Sequence, residues 1–235
     1  MNDNHGDLTI VHTSDLHIDG RFMDDFHPLC RVLNTAASLA ADLLILAGDI
    51  FDHNRVPLEK IEMVSRLLND ANVPVVILPG NHDPITADSV YRRGGLADVP
   101  NVHVIGVSSE ERFVWAEHDI EVWGRAHYDY KNMSPLRDAP APEAGRRIAV
   151  AHGHWMQTEA DAHRGWLITD DDIAGVGAAY VALGHWPQAQ PAGDGRVPAY
   201  YCGSPDLAAT VNAVRLRADG GVDVERVPLA EHGVI

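Results

Sequence analysis

The first half of the chain alternates short apolar runs with longer stretches in which apolar residues recur every three or four positions. "LTIVHT" (Leu8–Thr13) is short and apolar and predicts a strand. "DLLILAGD" (Asp42–Asp49) predicts a strand of the fully buried type, and "PVVILPGNH" (Pro74–His82) predicts the next. Between them, "PLCRVLNTAASLAA" (Pro28–Ala41) opens on proline, which suits a first helical turn, and continues with spaced apolar residues. "PLEKIEMVSRLLNDA" (Pro57–Ala71) has the amphipathic spacing of a second helix. A βαβαβ order of this kind predicts a parallel sheet covered by helices.

The second half is richer in strands. "FVWA", "IEVWG", "RIAVAHG", "YVALGH", "AYYCGS" and "VNAVRLRA" follow in turn, with "GVDVERVPL" after them. Glycine, proline and acidic loops separate these runs, and the pattern does not assign parallel or antiparallel pairing. "SPLRDAPAPEAGRR" (Ser134–Arg147) predicts a surface connection rather than a boundary. With 235 residues and 46% hydrophobic content, the expectation is one α/β domain over residues 1–235.

Charge and cysteine content narrow the classes. The formal net charge is −16, from 34 acidic and 18 basic side chains. That opposes broad, unassisted nucleic-acid binding, which works by neutralising phosphates; a local basic groove stays compatible with it. No apolar run is long enough for a transmembrane helix, and the start "MNDNHGDLTI" does not read as a secretory signal. Cys30 and Cys202 form no metal-type spacing. A reducing cytoplasm without a membrane partner is the expectation.

The 14 histidines change the picture. Several follow apolar runs directly. Asp15 and His17 come after the first run, and Asp49 after the second. Asn81, His82 and Asp83 follow the third, and His152 and His185 close two later runs. In open α/β sheets, groups at the carboxyl ends of strands converge on one crevice. Carboxylate, imidazole and amide oxygen together suit manganese, iron or zinc. The set exceeds the needs of one ion and fits two that share a carboxylate.

"DLH", "GDIFD", "GNHD", the "AHGHW" histidine and "ALGH" together resemble the calcineurin-like metallophosphoesterase superfamily. "GDIFDHNRVP" and "YVALGH" with "AYYCGSP" are similar to its double-strand-break repair nuclease branch. The resemblance implies a four-layer α-β-β-α sandwich with its metal site at the carboxyl ends of the strands. It implies two divalent transition-metal ions, manganese first, with iron, zinc or nickel as alternatives. Asp15 and His17 would bind the first ion, and Asp49 would bridge both. Asn81, His152 and His185 would bind the second. His82 would protonate the leaving oxygen, and Asp83 would orient His82. The substrate would be a phosphoester, a diester before a monoester, attacked by metal-bound hydroxide.

Two departures stand against that pattern. The family's last motif reads Gly-His-x-His, but here the second histidine is Pro187, which has no side-chain donor. Affinity for the first ion should fall unless His154, Gln188 or Gln190 substitutes, and nothing in the sequence picks one. The chain is also read as lacking the branch's DNA-capping extension. Two rival functions follow: a metal-binding regulatory module with weak or no catalysis, and a nuclease component that requires a DNA-binding partner. Two further stretches are weighed for substrate contacts. "WGRAHYDY" (Trp123–Tyr130) offers Arg125, His127 and Tyr128, and "YRRGG" (Tyr91–Gly95) offers an arginine pair.

Overall fold

A computed structural model describes residues 6–19 and 26–231. The first half runs β1 (Leu8–Thr13), α1 (His27–Ser38), β2 (Leu43–Ala47), α2 (Leu58–Asp70), β3 (Val75–Leu78) and β4 (Val102–Val104). Next come β5 (Arg112–Trp115), β6 (Ile120–Gly124), β7 (Arg146–His152), β8 (His154–Trp155), β9 (Leu167–Ile168) and α3 (Asp170–Gly175). The described chain closes with β10 (Tyr180–Gly184), β11 (Gln190–Ala192), β12 (Ala199–Tyr201), α4 (Pro205–Ala208), β13 (Thr210–Leu216) and β14 (Val222–Pro228). The two predicted helices and all the predicted strands are present, with ends shifted by one to a few residues.

Twelve of the strands form two mixed sheets of six, and β8 and β9 pair separately. The first has the order β14-β13-β1-β2-β3-β4 and the second β11-β12-β10-β7-β6-β5. In the first, β1 through β4 pair in parallel, while β13 and β14 extend the other side antiparallel. In the second, β12, β10, β7 and β6 are parallel, with antiparallel β11 and β5 at its edges. The parallel half of each sheet supplies the strand ends that matter for chemistry.

Side-chain alternation along β2 shows how the layers form. Leu44 and Leu46 face α1 and α2, packing with Leu29, Val32, Ile61, Val64 and Leu68. Leu43, Ile45 and Ala47 face the other way, against Val122, Ile148, Val150 and Ala182 of the second sheet. A strand buried on both faces must be apolar at every position, and all five residues of β2 are. The outer face of the second sheet packs Trp123, Ala149, Val181 and Leu183 under Ile173 and Val176. The expected α-β-β-α order is therefore observed, with a thin fourth layer built on the six-residue α3.

The Ser134–Arg147 connection is irregular up to β7, as expected, but it is anchored. Arg147 is fully buried and pairs with buried Glu121 at 2.5 Å. Its Nη1 also donates to the carbonyls of Pro140 and Val176, each at 2.8 Å. Six short elements escaped the sequence pattern, among them β11, α3 and α4. β4 has three residues, too few to show a period, and the β8–β9 pair has two residues on each side.

Candidate metal centre

The polar residues singled out above all follow carboxyl ends of parallel strands. Asp15 and His17 follow β1, Asp49 follows β2, and Asn81, His82 and Asp83 follow β3. In the second sheet, His152 ends β7 and His185 follows β10. The two sheets approach closely here because Gly184 has no side chain. A Cβ at that position would overlap the Ala47 carbonyl and lie 2.8 Å from Ser14 Cβ.

Four of these residues hold unusual backbone. Asp15 (φ 56°), His17 (φ 47°), Asp49 (φ 53°) and His185 (φ 103°) have positive φ without being glycine. Such conformations cost about 1–3 kcal/mol each and persist only where the surroundings enforce them. Backbone bonds enforce them between the loops after β1 and β2: Asp15 N–H to Gly48 O at 3.0 Å, His17 N–H to Asp49 O at 3.1 Å and Ile18 N–H to Ile50 O at 3.0 Å. His185 N–H donates to Asp15 Oδ2 at 3.0 Å and joins the second sheet to this pair of loops.

Two compact donor groups share Asp49. Asp49, His152 and His185 each present a donor atom, mutually within 4.8 Å, and so do His17, Asp49 and His82. In the first of these groups, His152 Nδ1 donates to the Ala47 carbonyl at 2.8 Å. That leaves Nε2 as the free nitrogen. It is buried, lacks a hydrogen-bond partner and lies 3.0 Å from Asp49 Oδ2. Two donors each ~2.1 Å from one ion at right angles would stand about 3 Å apart. An orphaned imidazole nitrogen beside a buried carboxylate therefore fits a metal ion. Asn81 Oδ1 and His185 Nδ1 meet at 3.1 Å across the two sheets and complete this side.

The charges of this group act strongly on one another. Burial works to raise Asp49, but the nearby His152, with the His82 amide, holds its carboxyl far below the carboxylate range. Burial works to lower His152, but Asp49 and Asp15 raise it to about 9. Burial, then the charge of His152, pushes His185 down to about 3, which keeps that imidazole neutral.

In the second group, His17 Nε2 lies 3.9 Å from both Asp15 Oδ1 and Asp49 Oδ2. Its Nδ1 is 3.1 Å from Asp52 Oδ1. His82 N–H donates to Asp49 Oδ1 at 2.9 Å, and His82 Nδ1 donates to the Asp52 carbonyl at 3.0 Å. The His17 and His82 rings meet edge to face, 4.8 Å apart.

Here the structure departs from the expected role of Asp83. Its carboxylate is fully buried and accepts from Gly80 N at 2.7 Å, Ile50 N at 2.8 Å, Phe51 N at 3.0 Å and Tyr91 Oη at 2.6 Å. Those four donors occupy it, and it ties the loop after β2 to the loop after β3. The His82 ring is met by Asp52 instead. Asp52 thus supports both histidines of this group.

The candidates for the position lost at Pro187 also separate. His154 Nδ1 accepts from Trp186 Nε1 at 3.1 Å, and its Nε2 faces Asp161 Oδ1 at 3.5 Å. It belongs to neither donor group. Gln188 is exposed, and Gln190 lies in β11 opposite Tyr201. Pro187 contributes its carbonyl to Ser204 N–H at 3.1 Å.

A cleft of about 690 Å³ adjoins the centre, with Asn81, His82, His53, Arg55, Tyr130 and Trp166 among its walls. Of the segment considered for substrate contacts, Arg125 is held by Glu111 at 2.9 Å, and His127 Nε2 donates to the His152 carbonyl at 2.9 Å. Tyr130 reaches the cleft instead. Arg93 is likewise spent on the carbonyls of Asn54 and Val56. Trp166 had no sequence signal, because it reaches the cleft only through the β8–β9 pairing.

The sequence model described as calcineurin-like phosphoesterase matches residues 8–217. A component of the Bacillus subtilis nuclease SbcCD, its SbcD polypeptide, is 28% identical over 240 residues, covering 84% of this chain and 61% of that protein. The Aeropyrum pernix DNA double-strand break repair protein Mre11 is 25% identical over 204 residues, covering 75% and 48%. The chain thus spans about half to three fifths of the length of these relatives. Among solved structures, TT1561 of Thermus thermophilus superposes with a TM-score of 0.60 at 14% identity, covering 93% of this chain and 98% of that one.

Proposed function

This chain belongs to the calcineurin-like phosphoesterase family, and on that premise we propose that it hydrolyses phosphodiesters at a centre of two divalent metal ions. The observation that carries this reading is Asp49, a buried carboxylate shared by two donor groups, with the orphaned His152 Nε2 3.0 Å away. When bound, two such ions acidify water and neutralise charge on a transferring phosphoryl group.

In this reading Asp49 bridges and Asn81, His152 and His185 hold one ion; Asp15, which belongs to neither compact donor group but has Oδ1 3.9 Å from His17 Nε2, holds the other with His17, and His82 of that group is given to proton transfer. Manganese is the first candidate, with iron, zinc or nickel as alternatives. His82 is the general acid. The Asp52 carbonyl takes its Nδ1–H at 3.0 Å, which leaves Nε2 for the departing oxygen. Its side chain is 44% exposed on the wall of the cleft, so a substrate can reach it.

The test is a panel of aryl phosphodiesters, phosphomonoesters, cyclic nucleotides and DNA, each run with Mn²⁺, Fe²⁺, Zn²⁺ and Ni²⁺. Diester hydrolysis that falls sharply in His82→Ala is the expected result. Undiminished turnover in that variant would remove His82 from the mechanism. One ion or none per chain, without turnover in any metal, would favour a regulatory metal-binding module. A second enzymatic reading is supported by the name of the Bacillus subtilis relative, one component of a nuclease: cleavage of DNA only in complex with a partner. Its signature is DNA hydrolysis that appears on adding a DNA-binding protein.

A further inference from the structure

Trp166 is half-buried, and its ring meets that of His127 edge to face at 5.4 Å. It lies in none of the three apolar cores. Its backbone has φ 53°, a conformation that is a true outlier for a bulky side chain. Several bonds hold it there. Its N–H donates to Asn132 Oδ1 at 2.6 Å, its Nε1–H to the Lys131 carbonyl at 3.1 Å, and its carbonyl accepts from His154 N at 2.8 Å. Gly153 makes room for that carbonyl, which a Cβ there would overlap. The chain leaves the sheet after β7, turns through Glu159–His163 and returns as β9, paired with β8. That excursion ends by placing the Trp166 ring 5.8 Å from the ring of His185.

Tyr130 stands on the segment to which Trp166 is bonded. It is 62% exposed, also lies outside the cores, and lines the same cleft as His82 and Asn81. Arg55 is exposed on that cleft and places a cation on it in a chain of net charge −16. The ring of His53 accepts from Arg55 N–H through Nδ1 at 3.2 Å, so its proton is on Nε2. The cleft therefore combines a hydrogen-bonding and cationic wall, suited to phosphate, with two aromatic faces.

We propose that Trp166 and Tyr130 form a stacking platform for a planar ring carried by the phosphoester, so that the substrate is a nucleotidyl or aryl ester rather than an alkyl one. This rests on the phosphodiesterase reading above and names the substrate class of that site. Aromatic faces accept any flat π-system, and stacking a base on one such side chain changes affinity by roughly 5- to 150-fold. Strain held at Trp166 is the kind of feature that persists at ligand clamps.

The experiment is calorimetric titration of the full chain, with Mn²⁺ present, using adenosine 5′-monophosphate, phenyl phosphate and glycerol 3-phosphate. The expected result is tighter binding of a ring-bearing ligand than of glycerol 3-phosphate by about 5-fold or more. Adenosine monophosphate ahead of phenyl phosphate identifies a nucleobase, and the reverse order an aryl group. Tyr130→Ala and Trp166→Leu should remove the preference while leaving glycerol 3-phosphate affinity unchanged, and Trp166→Phe should keep it. Equal weakening of all three ligands would mean that the pair only props the loop, and would overturn the platform. So would a preference that survives both variants, or no binding of any ligand. Diester hydrolysis without ring preference sinks the platform alone. Ring preference without hydrolysis of any diester sinks the phosphodiesterase reading and leaves the platform standing.

Discussion

His17 Nδ1 and Asp52 Oδ1 stand 3.1 Å apart, and that contact decides which nitrogen of His17 faces Asp15 and Asp49. A carboxylate accepts only, so Nδ1 carries the proton and Nε2 keeps its lone pair toward Asp15 and Asp49. The carbonyl of the same Asp52 holds His82.

Asp52→Ala should therefore weaken one of the two ions and spare the other. Supporting groups of this kind are worth about 10- to 100-fold in metal affinity. Metal titration followed by calorimetry reads it. Two ions weakened equally, or neither, would separate Asp52 from the His17 group.

His154→Ala should leave metal stoichiometry unchanged, because both ring nitrogens face Trp186 and Asp161 rather than the centre. Pro187→His should tighten the weaker ion. Metal counting after dialysis against graded chelator distinguishes the outcomes, and loss of an ion in His154→Ala would make His154 the missing ligand.

Asp83→Asn should destabilise the fold by about 3 kcal/mol, since a buried amide cannot accept from all four donors that now converge on the carboxylate. Tyr91→Phe removes one of those donors, at 2.6 Å, and should cost about 2 kcal/mol. Urea unfolding measures both. A stable Asp83→Asn that lost only turnover would place Asp83 in the chemistry instead.

Stability should depend on pH through His12. This residue is fully buried, bonded through Nδ1 to Tyr180 Oη at 2.9 Å. Burial pushes it from 6.5 down to about 3. The unfolded chain then takes up a proton on this residue at higher pH than the folded one does. Its contribution is present above pH 6.5 and is lost as pH falls toward 3, at up to about 1.4 kcal/mol per pH unit. Denaturant melts in chelator at pH 4, 5, 6 and 7 should show a shallower slope in His12→Gln than in the native chain. Equal slopes would mean that His12 is protonated in the folded state.

Much of the fold was legible because its signals are local. β2 shows five consecutive apolar residues, which only a strand buried on both faces requires. The helices show a 3.6-residue period over twelve and thirteen residues. β4 and the β8–β9 pair are too short to show any period, and so were missed. The residues at the carboxyl ends of strands were legible for the same local reason, since a polar group directly after a buried run must emerge at the edge of a sheet.

The sequence by itself thus determined the strand ends and the chemical types that gather there, through hydrophobic burial acting within each segment. Only the tertiary structure decided which atoms meet. The separation between His152 and Asp49 depends on how two sheets pack at Gly184. The four donors around Asp83 come from two loops and a short turn, which is why its expected bond to His82 does not form. Trp166 reaches the cleft through two residues of pairing between β8 and β9. Each of these contacts joins residues distant along the chain, and the packing between them, rather than any local pattern, sets the distance.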